Sequence, residues 1–337
     1  MTDSILFWFS LTVLSVAAIF WPRLGLLARW RRYTIARQRI LAEDALKHLH
    51  AITWRGQLAN LQSLAGALQL ALPATAQLVR QMETQGWVVS RANGLSLTPD
   101  GERLAVEVIR AHRLWERYLA DEARMPLTDI HAEAERREHH RAPETVQELA
   151  AAMGYPEVDP HGDPIPDADG QLPTPIGTPL TDWPVGAPAR IVHLEDEPAE
   201  IFSQISAENI SPGLIVRLIE ANAQRLVLSD GDKLYTLAPV VAANIFVTTQ
   251  AAAPEPGRTL NSLHPGQTAS ISRLDDSLQG FTRRRLLDLG LTPGTLVSAE
   301  RRSLFGDPIA YRVRGTLIAL RSEQAEKVLI NLPSTGS

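Results

Sequence analysis

Histidine and glutamate side chains recur at helical spacing between Ile130 and His140. On a helix, the side chains at i, i+4, i+7 and i+8 of this segment share one face: His131, Glu135, Glu138 and His139. Carboxylate oxygens and imidazole nitrogens in such a set can bind one divalent cation, and oxygen-rich sets suit Mn²⁺ or Fe²⁺. His112 and Glu116 repeat the i, i+4 spacing on another predicted helix. The sequence therefore predicts a metal site.

The composition of the chain is that of an ordinary globular protein with room for several domains. It has 337 residues, of which 45% are hydrophobic and 21% charged, and a net charge of −5. Cysteine is absent, which excludes disulfides, zinc-thiolate sites and thiol catalysis. The Gly306-Asp307-Pro308 segment is typical of a turn, and no nucleophile with a base partner is evident. We expect no enzymatic activity.

The N-terminus carries an apolar run followed by positive charge. Ile5 to Trp21 has no charged residue. Six arginines and no acidic residue follow it: Arg23, Arg29, Arg31, Arg32, Arg37 and Arg39. This pattern predicts a membrane anchor with a basic juxtamembrane segment over residues 1–37, in a single-pass protein whose bulk is cytoplasmic. The alternative is an interfacial helix that lies on anionic lipid.

Residues 38–102 have the pattern of a winged helix-turn-helix domain. Three helices are predicted before an Ala92-Asn93-Gly94 hairpin turn: Ile40–Ile52, Leu61–Leu70 and Pro73–Gln85. Five side chains are candidates for DNA contact: Pro73, Thr75, Gln77, Arg80 and Arg91. Gln77 could pair with adenine. Because basic residues are sparse here, a scaffold that no longer binds DNA is the alternative.

The remaining chain is predicted as a helical metal-binding and dimerisation domain at 103–167, a linker at 168–178 and two small domains at 179–250 and 257–333. An internal repeat supports the pair, since Ile210–Val216 recurs as Leu291–Val297. Alternating apolar runs between Pro-Gly and Gly-Asp turns predict small β-barrels. The fold class is multidomain α+β, with a transmembrane helix, a winged helix-turn-helix, a helical domain and two SH3-like barrels.

Several motifs resemble those of the diphtheria-toxin-repressor (DtxR/MntR) family of metal-dependent transcriptional regulators. Between Arg39 and Asp167 they follow the family's order: Glu43-Asp44-Ala45-Leu46, Met82-Glu83-Thr84-Gln85-Gly86-Trp87-Val88, Leu97-Thr98-Pro99-Asp100-Gly101, His112-Arg113-Leu114-Trp115-Glu116-Arg117, the Glu-His helix, and Pro160-His161-Gly162-Asp163-Pro164-Ile165-Pro166. The last eighty residues resemble the FeoA-like, SH3-type module, through Arg284-Arg285-Leu286-Leu287-Asp288-Leu289-Gly290 and Pro293-Gly294. Residues 178 to 250 look like a diverged second copy.

The resemblance implies two sets of metal ligands. The first set is Asp44, His112, Glu135, Glu138 and His139, and the second is His112, Glu116 and His131 with further ligands from the SH3-like domain. Glu135 and Asp44 follow the family's manganese-type members, whereas the iron-type members have Cys and Met there. Lys47 departs from the manganese pattern. Its protonated amine cannot ligate a cation. His48, His50, His140 and His161 are expected to have no metal role.

These features predict a membrane-anchored, Mn²⁺- or Fe²⁺-dependent transcriptional regulator of metal homeostasis. Its expected partners are operator DNA, the membrane and a second copy of the chain in a homodimer. The alternative is a membrane-tethered FeoA-type accessory protein of a ferrous iron or manganese transporter.

Overall fold

The computed structural model describes residues 25–91, 94–139, 143–173, 177–249, 258–275, 280–303 and 306–332, with residues 8, 19, 21, 23 and 278. The chain divides into two compact units, Met1–Val108 and Ile109–Ser337, and each is described by itself.

The first unit contains helices followed by a β-hairpin. Its elements are α1 (Leu26–Trp54), α2 (Leu61–Ala67), α3 (Leu72–Thr84), β1 (Val88–Arg91), β2 (Gly94–Leu97) and the beginning of α4 (Pro99–Asp121). Asn60 caps α2, because its side chain accepts a hydrogen bond from Ser63 N at 2.8 Å and Ser63 Oγ accepts one from Asn60 N. A proline in the first turn starts α3. This order agrees with the predicted winged helix-turn-helix layout.

The core of the first unit lies between these helices and the hairpin. Leu46, Leu49, Leu64 and Met82 are fully buried there. In the hairpin, β1 pairs antiparallel with β2, with Val88 opposite Leu97. The predicted turn residues Ala92 and Asn93 lie outside the described residues. Helix α1 thus supplies one wall of the core with its C-terminal half.

The N-terminal prediction needs correction. Helix α1 begins at Leu26 rather than Ile40, so the basic segment is helical. In the described part of the chain, no helix is both long and apolar enough to cross a membrane, since α1 itself carries five arginines before Ile40. This finding contradicts the predicted single-pass membrane location. Most of the apolar run Ile5 to Trp21 lies outside the described residues.

The second unit begins with helices and continues with two antiparallel sheets. The helices are the rest of α4, α5 (Leu127–Glu138) and α6 (Pro143–Ala152). Buried Leu114, Trp115, Leu119 and Ile130 pack α4 against α5 and α6. These helices carry the metal-binding residues predicted for this region.

The first sheet has the strand order β3-β8-β4-β5-β6-β7. Its elements are β3 (Thr178–Pro179), β4 (Pro188–Leu194), α7 (Ala199–Ala207), β5 (Ile215–Ala221), β6 (Leu226–Ser229), β7 (Leu234–Leu237), α8 (Pro239–Ala242) and β8 (Ile245–Thr249). Inward side chains alternate along β4 and β5, so this sheet has its own core.

The second sheet has the order β12-β11-β10-β9-β13. Its elements are β9 (Thr268–Leu274), α9 (Gly280–Asp288), β10 (Leu296–Arg302), β11 (Ile309–Val313), β12 (Thr316–Leu320), α10 (Ser322–Ala325) and β13 (Val328–Asn331). From β4 and β9 onward, both sheets run strand, helix, three strands, short helix and strand. The structure is therefore a mixed α+β multidomain fold with helical and β-sheet parts, as predicted.

Candidate metal centre

Helices α4 and α5 bring three predicted ligands together. His112 Nε2 lies 3.0 Å from Glu116 Oε1, one turn further along α4. His131 Nδ1, on α5, lies 3.1 Å from the same oxygen. Helix α5 presents this side because Ile130 and Ala134 bury its apolar positions against α4. The predicted set of His112, Glu116 and His131 is thus one cluster.

The C-terminal end of α5 adds a carboxylate and a histidine to the other side of His112. His112 Nδ1 contacts Glu138 Oε2, and Glu138 Oε1 lies 3.4 Å from His139 Nε2. Both residues are buried. Glu135 is exposed, with Oε1 3.6 Å from His131 Nε2. Asp44 belongs to the first unit, so its membership of this site stays a prediction.

Three further residues complete the cluster, and sequence reasoning missed all of them: Asp159, His161 and Asp196. Asp159 and His161 lie in the loop after α6, and Asp196 follows β4. Asp196 Oδ2 is 2.7 Å from His131 Nδ1. His161 Nδ1 lies 3.9 Å from Glu116 Oε2 and 3.8 Å from Asp196 Oδ2. The sequence pointed to no metal role for His161, and its position beside Glu116 and Asp196 makes it a candidate ligand.

The loop that carries Asp159 and His161 is held in place by hydrogen bonds within it and by one from Arg113 of α4. Asp159 Oδ1 accepts hydrogen bonds from His161 N at 2.8 Å and Asp163 N at 2.9 Å. Arg113 of α4 donates to Pro164 O at 2.6 Å. Gly162 has φ +95°, and a Cβ there would lie 2.0 Å from Val192 O. The loop thus depends on glycine to approach β4 this closely.

The donor atoms fit divalent cations. Two overlapping sets place one ligand atom from each residue within 4.8 Å of the others, namely His112, Glu116 and His131, and Glu116, Asp159 and His161. Both ring nitrogens of His161 are buried, and neither has a hydrogen-bond partner in the described residues. A buried imidazole without partners is costly unless a ligand satisfies it. Nitrogen and carboxylate donors without sulfur suit Mn²⁺ or Fe²⁺.

Charged neighbours shift the pKa values of the residues in the cluster. Burial alone would raise the pKa of Glu116, but His112, His131 and His161 hold that pKa well below its ordinary value. Burial lowers the pKa of His131, yet hydrogen bonds to Asp196, Glu116 and Glu135 outweigh burial and raise it to about 12. A proton on His131 therefore balances the carboxylates, and a bound cation would take over that role.

Two aspartates show opposite shifts. Burial, together with Asp163 and Glu116 nearby, raises the pKa of Asp159 well above its ordinary value. Burial also acts to raise the pKa of Asp196, but His131 and His161 lower it overall. The cluster therefore favours the anionic form of Asp196 and disfavours that of Asp159.

The predicted DNA-contacting residues lie in the first unit. Pro73, Gln77 and Arg80 of α3 are exposed, as is Arg91 at the end of β1. Thr75 is a correction, because its side chain is 0% exposed and its hydroxyl donates to Ala71 O at 3.2 Å. It faces the core, so it cannot read bases.

Two family models match parts of this chain. The model for the iron dependent repressor, metal binding and dimerisation domain matches residues 98–167. The model for the FeoA domain matches residues 258–332. The first match contains the α4–α5 cluster, and the second contains the second sheet.

Curated relatives match longer stretches of the chain than either family model. Iron-dependent repressor IdeR of Mycobacterium leprae (strain TN) is 28% identical over 179 residues, which is 49% of this chain and 77% of the relative. IdeR of Mycobacterium tuberculosis (strain H37Rv) is 35% identical over 137 residues, 38% of this chain and 60% of the relative. The diphtheria toxin repressor of Corynebacterium efficiens is 30% identical over 200 residues, 56% of this chain and 87% of the relative. The chain belongs to the diphtheria toxin repressor family.

Solved structures agree with this membership in the diphtheria toxin repressor family. A manganese-dependent transcriptional repressor in complex with manganese is 28% identical, with a TM-score of 0.56 over 61% of this chain and 99% of that one. The manganese regulator SloR, 24% identical with a TM-score of 0.53 over 62% of this chain and 98% of that one, shares the fold. The family consists of metal-dependent transcriptional regulators.

Proposed function

We propose that this protein is a homodimeric, DNA-binding repressor for which Mn²⁺ or Fe²⁺ is the corepressor. The cation would be held by Glu116 with His112 and His131, and by Asp159, His161 and Asp196 around them. Bound there, it supplies positive charge that neutralises the buried carboxylates. The exposed face of α3, with Gln77 and Arg80, would contact the operator.

The observation that carries the proposal is the position of Glu116. This carboxylate is 1% exposed and lies among three imidazoles from α4, α5 and the loop after α6. Such a residue is unusual as a plain core residue, because burying a carboxylate is costly unless cations or hydrogen bonds compensate. A divalent cation at this point would join all three segments and restrain them together.

We propose a second cation position from the family resemblance. Glu138, His139 and His112 would hold it, together with Asp44 and Glu135. The contact between His112 and Glu138 supports three of these ligands. Asp44 and Glu135 rest on the resemblance alone.

We also propose that residues 179–250 are a diverged copy of the FeoA-type, SH3-like module at 257–333. The shared order of strands and helices after β4 and β9 supports a duplication. Asp196 would give this copy a direct part in metal binding, since it lies 2.7 Å from His131. The SH3-like domain would thus supply the further ligand that the resemblance implies.

A combined titration tests the proposed function. The full chain is titrated with Mn²⁺, anaerobic Fe²⁺ and Zn²⁺, and each loaded form is mixed with a promoter library from its own genome. We expect at least one cation per chain and metal-dependent retention of discrete duplexes. Metal binding with no retained duplex at any salt concentration would overturn the repressor, and an absence of metal binding would overturn the site as well.

A further inference from the structure

The N-terminal half of α1 projects as an arginine-rich helix. We call residues 26–39 the α1 arm. The first buried side chain of α1 is Ala42, so the arm lies outside the core of the first unit. Its 14 residues, at about 1.5 Å each, are about 21 Å long. This length equals about six base-pair steps of a duplex, at about 3.4 Å each.

The arm carries concentrated positive charge. Its arginines are all exposed: Arg29, Arg31, Arg32, Arg37 and Arg39. No acidic residue occurs in the sequence between Asp3 and Glu43. Arg39 pairs with Glu43 at 3.4 Å, and Arg32 donates to Arg23 O at 3.0 Å. Within the described residues, no carboxylate pairs with the remaining three guanidinium groups. They are available to an external anion.

The winged helix lacks the charge that duplex binding requires. Between Asn60 and Leu97 the sequence has two basic residues, Arg80 and Arg91. Affinity for duplex DNA comes largely from Lys and Arg that neutralise phosphates, whereas base contacts mainly give specificity. Two arginines would neutralise few phosphates. The exposed face of α3 therefore needs positive charge from elsewhere in its own unit.

The arm continues without a break into the part of α1 that packs against α3 in the core. Beyond the arm, α1 buries Ala45, Leu46 and Leu49 in the core that also holds α2 and α3. No glycine or proline interrupts α1 between Leu26 and Trp54. Motion of the arm relative to α3 is therefore limited to bending of one continuous helix.

We propose that the α1 arm binds phosphates of the duplex independently of base sequence and supplies most of the non-specific affinity of the repressor. This inference rests on the proposed function. Guanidinium groups suit the task, because they are permanently charged and bind phosphate oxygens in a bidentate fashion. The exposed Trp30 and Tyr33 between them also suit an anionic lipid surface, so the test includes vesicles.

The test neutralises the three arginines that have no described carboxylate partner. Arg29→Gln, Arg31→Gln and Arg37→Gln are combined in the full chain. Binding to a random-sequence 40-base-pair duplex is followed by fluorescence anisotropy between about 50 and 300 mM KCl with saturating Mn²⁺. Each lost phosphate contact should make the slope of log K against log[salt] shallower by about 0.9, so we expect a change of about 2 to 3. Affinity near 150 mM should fall about 10- to 100-fold.

Two matched variants distinguish phosphate binding by the arm from a general effect of net charge on duplex binding. Lysine at the same three positions keeps the charge and should keep most of the slope. A control triple removes arginines that already pair with carboxylates: Arg103→Gln, Arg225→Gln and Arg312→Gln. It changes the net charge equally and should leave the slope unchanged. Mn²⁺ stoichiometry should be the same in every variant.

The other outcomes distinguish a failure of the arm proposal from a failure of the proposed function. If the wild type binds duplex and the arm variant has the same slope, the arm proposal is overturned while the repressor stands. If the arm variant loses binding to phosphatidylglycerol vesicles but keeps its duplex slope, the arm binds lipid and the proposal is wrong. If the wild type binds no duplex with or without metal, the proposed function fails first.

Discussion

At the residue scale, the molecule concentrates its chemistry on one buried carboxylate. Glu116 is common to both sets of metal-binding atoms, whereas His131 belongs to one and His161 to the other. The family resemblance implied the first set, His112, Glu116 and His131, from the sequence. Asp159, His161 and Asp196 could not be found that way, because contacts between distant segments bring them together. The pair Asp159-x-His161 and the acidic run Glu195-Asp196-Glu197 were the available signals.

Because the two sets share Glu116, removing one histidine should weaken Mn²⁺ binding without abolishing it. His131→Asn and His161→Asn should each lower Mn²⁺ affinity at least about tenfold, because each removes one donor and leaves the shared Glu116 in place. Mn²⁺ binding is measured by equilibrium dialysis. The exposed His264 provides the control, and His264→Asn should bind as the wild type does. Unchanged affinity in the His161 variant would remove that residue from the site.

The carboxyl group of Asp230, in the first sheet, should have a lowered pKa that depends on Tyr235. Tyr235 donates a hydrogen bond to Asp230 at 2.6 Å, and this bond with the backbone N–H groups of Lys233 and Asp232 lowers the pKa of Asp230 to about 2. A lowered folded-state pKa stabilises the protein above the unfolded-state pKa, and the stabilisation is lost as pH falls to about 2. In Tyr235→Phe the pKa of Asp230 should rise toward its ordinary value. A carboxyl NMR titration reads this directly, and an unchanged pKa would contradict the assignment.

At the element scale, short loops and helix ends position the cluster. The predicted helix Pro73–Gln85 differs from α3 by one residue at each end, because one face of an amphipathic helix packs against a neighbour. Thr75 was named with Pro73, Gln77 and Arg80 as a candidate for DNA contact, although a helix turns the residue two positions after Pro73 to the opposite face. In the structure Thr75 turns inward beside Leu78 and Val79. Helical spacing groups Thr75 with buried Leu78, Val79 and Met82, so the period of the helix alone was enough to exclude it from the exposed face.

Substitution of Gly162 tests whether its loop positions the metal ligands, and substitution of Gly170 is the control. Gly162→Ala should displace the loop that holds Asp159 and His161, since its Cβ would lie 2.0 Å from Val192 O. Metal affinity should therefore fall. Gly170 also has a positive φ, +78°, but a Cβ there would meet nothing within 4 Å. Gly170→Ala should cost only about 1 to 2 kcal/mol of unfolding free energy and leave metal affinity unchanged.

Calorimetric metal titration compares the metal affinities of the two glycine variants. Equal metal affinity in the two variants would show that the loop tolerates the displacement, and that its close approach to β4 does not position the ligands.

A buried ion pair on α4 gives the next prediction. Arg117 is 1% exposed, pairs with Asp121 at 2.8 Å and donates to Leu278 O at 3.1 Å. Arg117→Ala leaves a buried carboxylate without this partner, so the free energy of unfolding should fall by about 3 to 5 kcal/mol. The exposed pair of Arg312 and Glu300 should show no measurable loss on Arg312→Ala. Urea denaturation followed by circular dichroism compares them, and equal midpoints would contradict a structural role for Arg117.

At the scale of the whole molecule, the sequence predicted the family and the α+β organisation, but its predicted membrane location is contradicted, because no helix in the described part of the chain is long and apolar enough to span a membrane. The apolar run Ile5 to Trp21 suggested an anchor, yet the arginines after it belong to a helix that continues into the core of the first unit. Local composition cannot show that continuity. The recurrence of Ile210–Val216 as Leu291–Val297 predicted paired C-terminal modules, and the element order of the two sheets supports that prediction.

A cation held at Glu116 should make this molecule bind duplex DNA. The most direct measurement is duplex binding as a function of free Mn²⁺ for the wild type, Glu116→Gln and the control Glu107→Gln, whose side chain is exposed on the same helix. We expect the wild type and the control to share one curve. Glu116→Gln should need at least about 100-fold more Mn²⁺, since losing one charged ligand costs several kcal/mol. Identical curves for all three proteins would contradict the account.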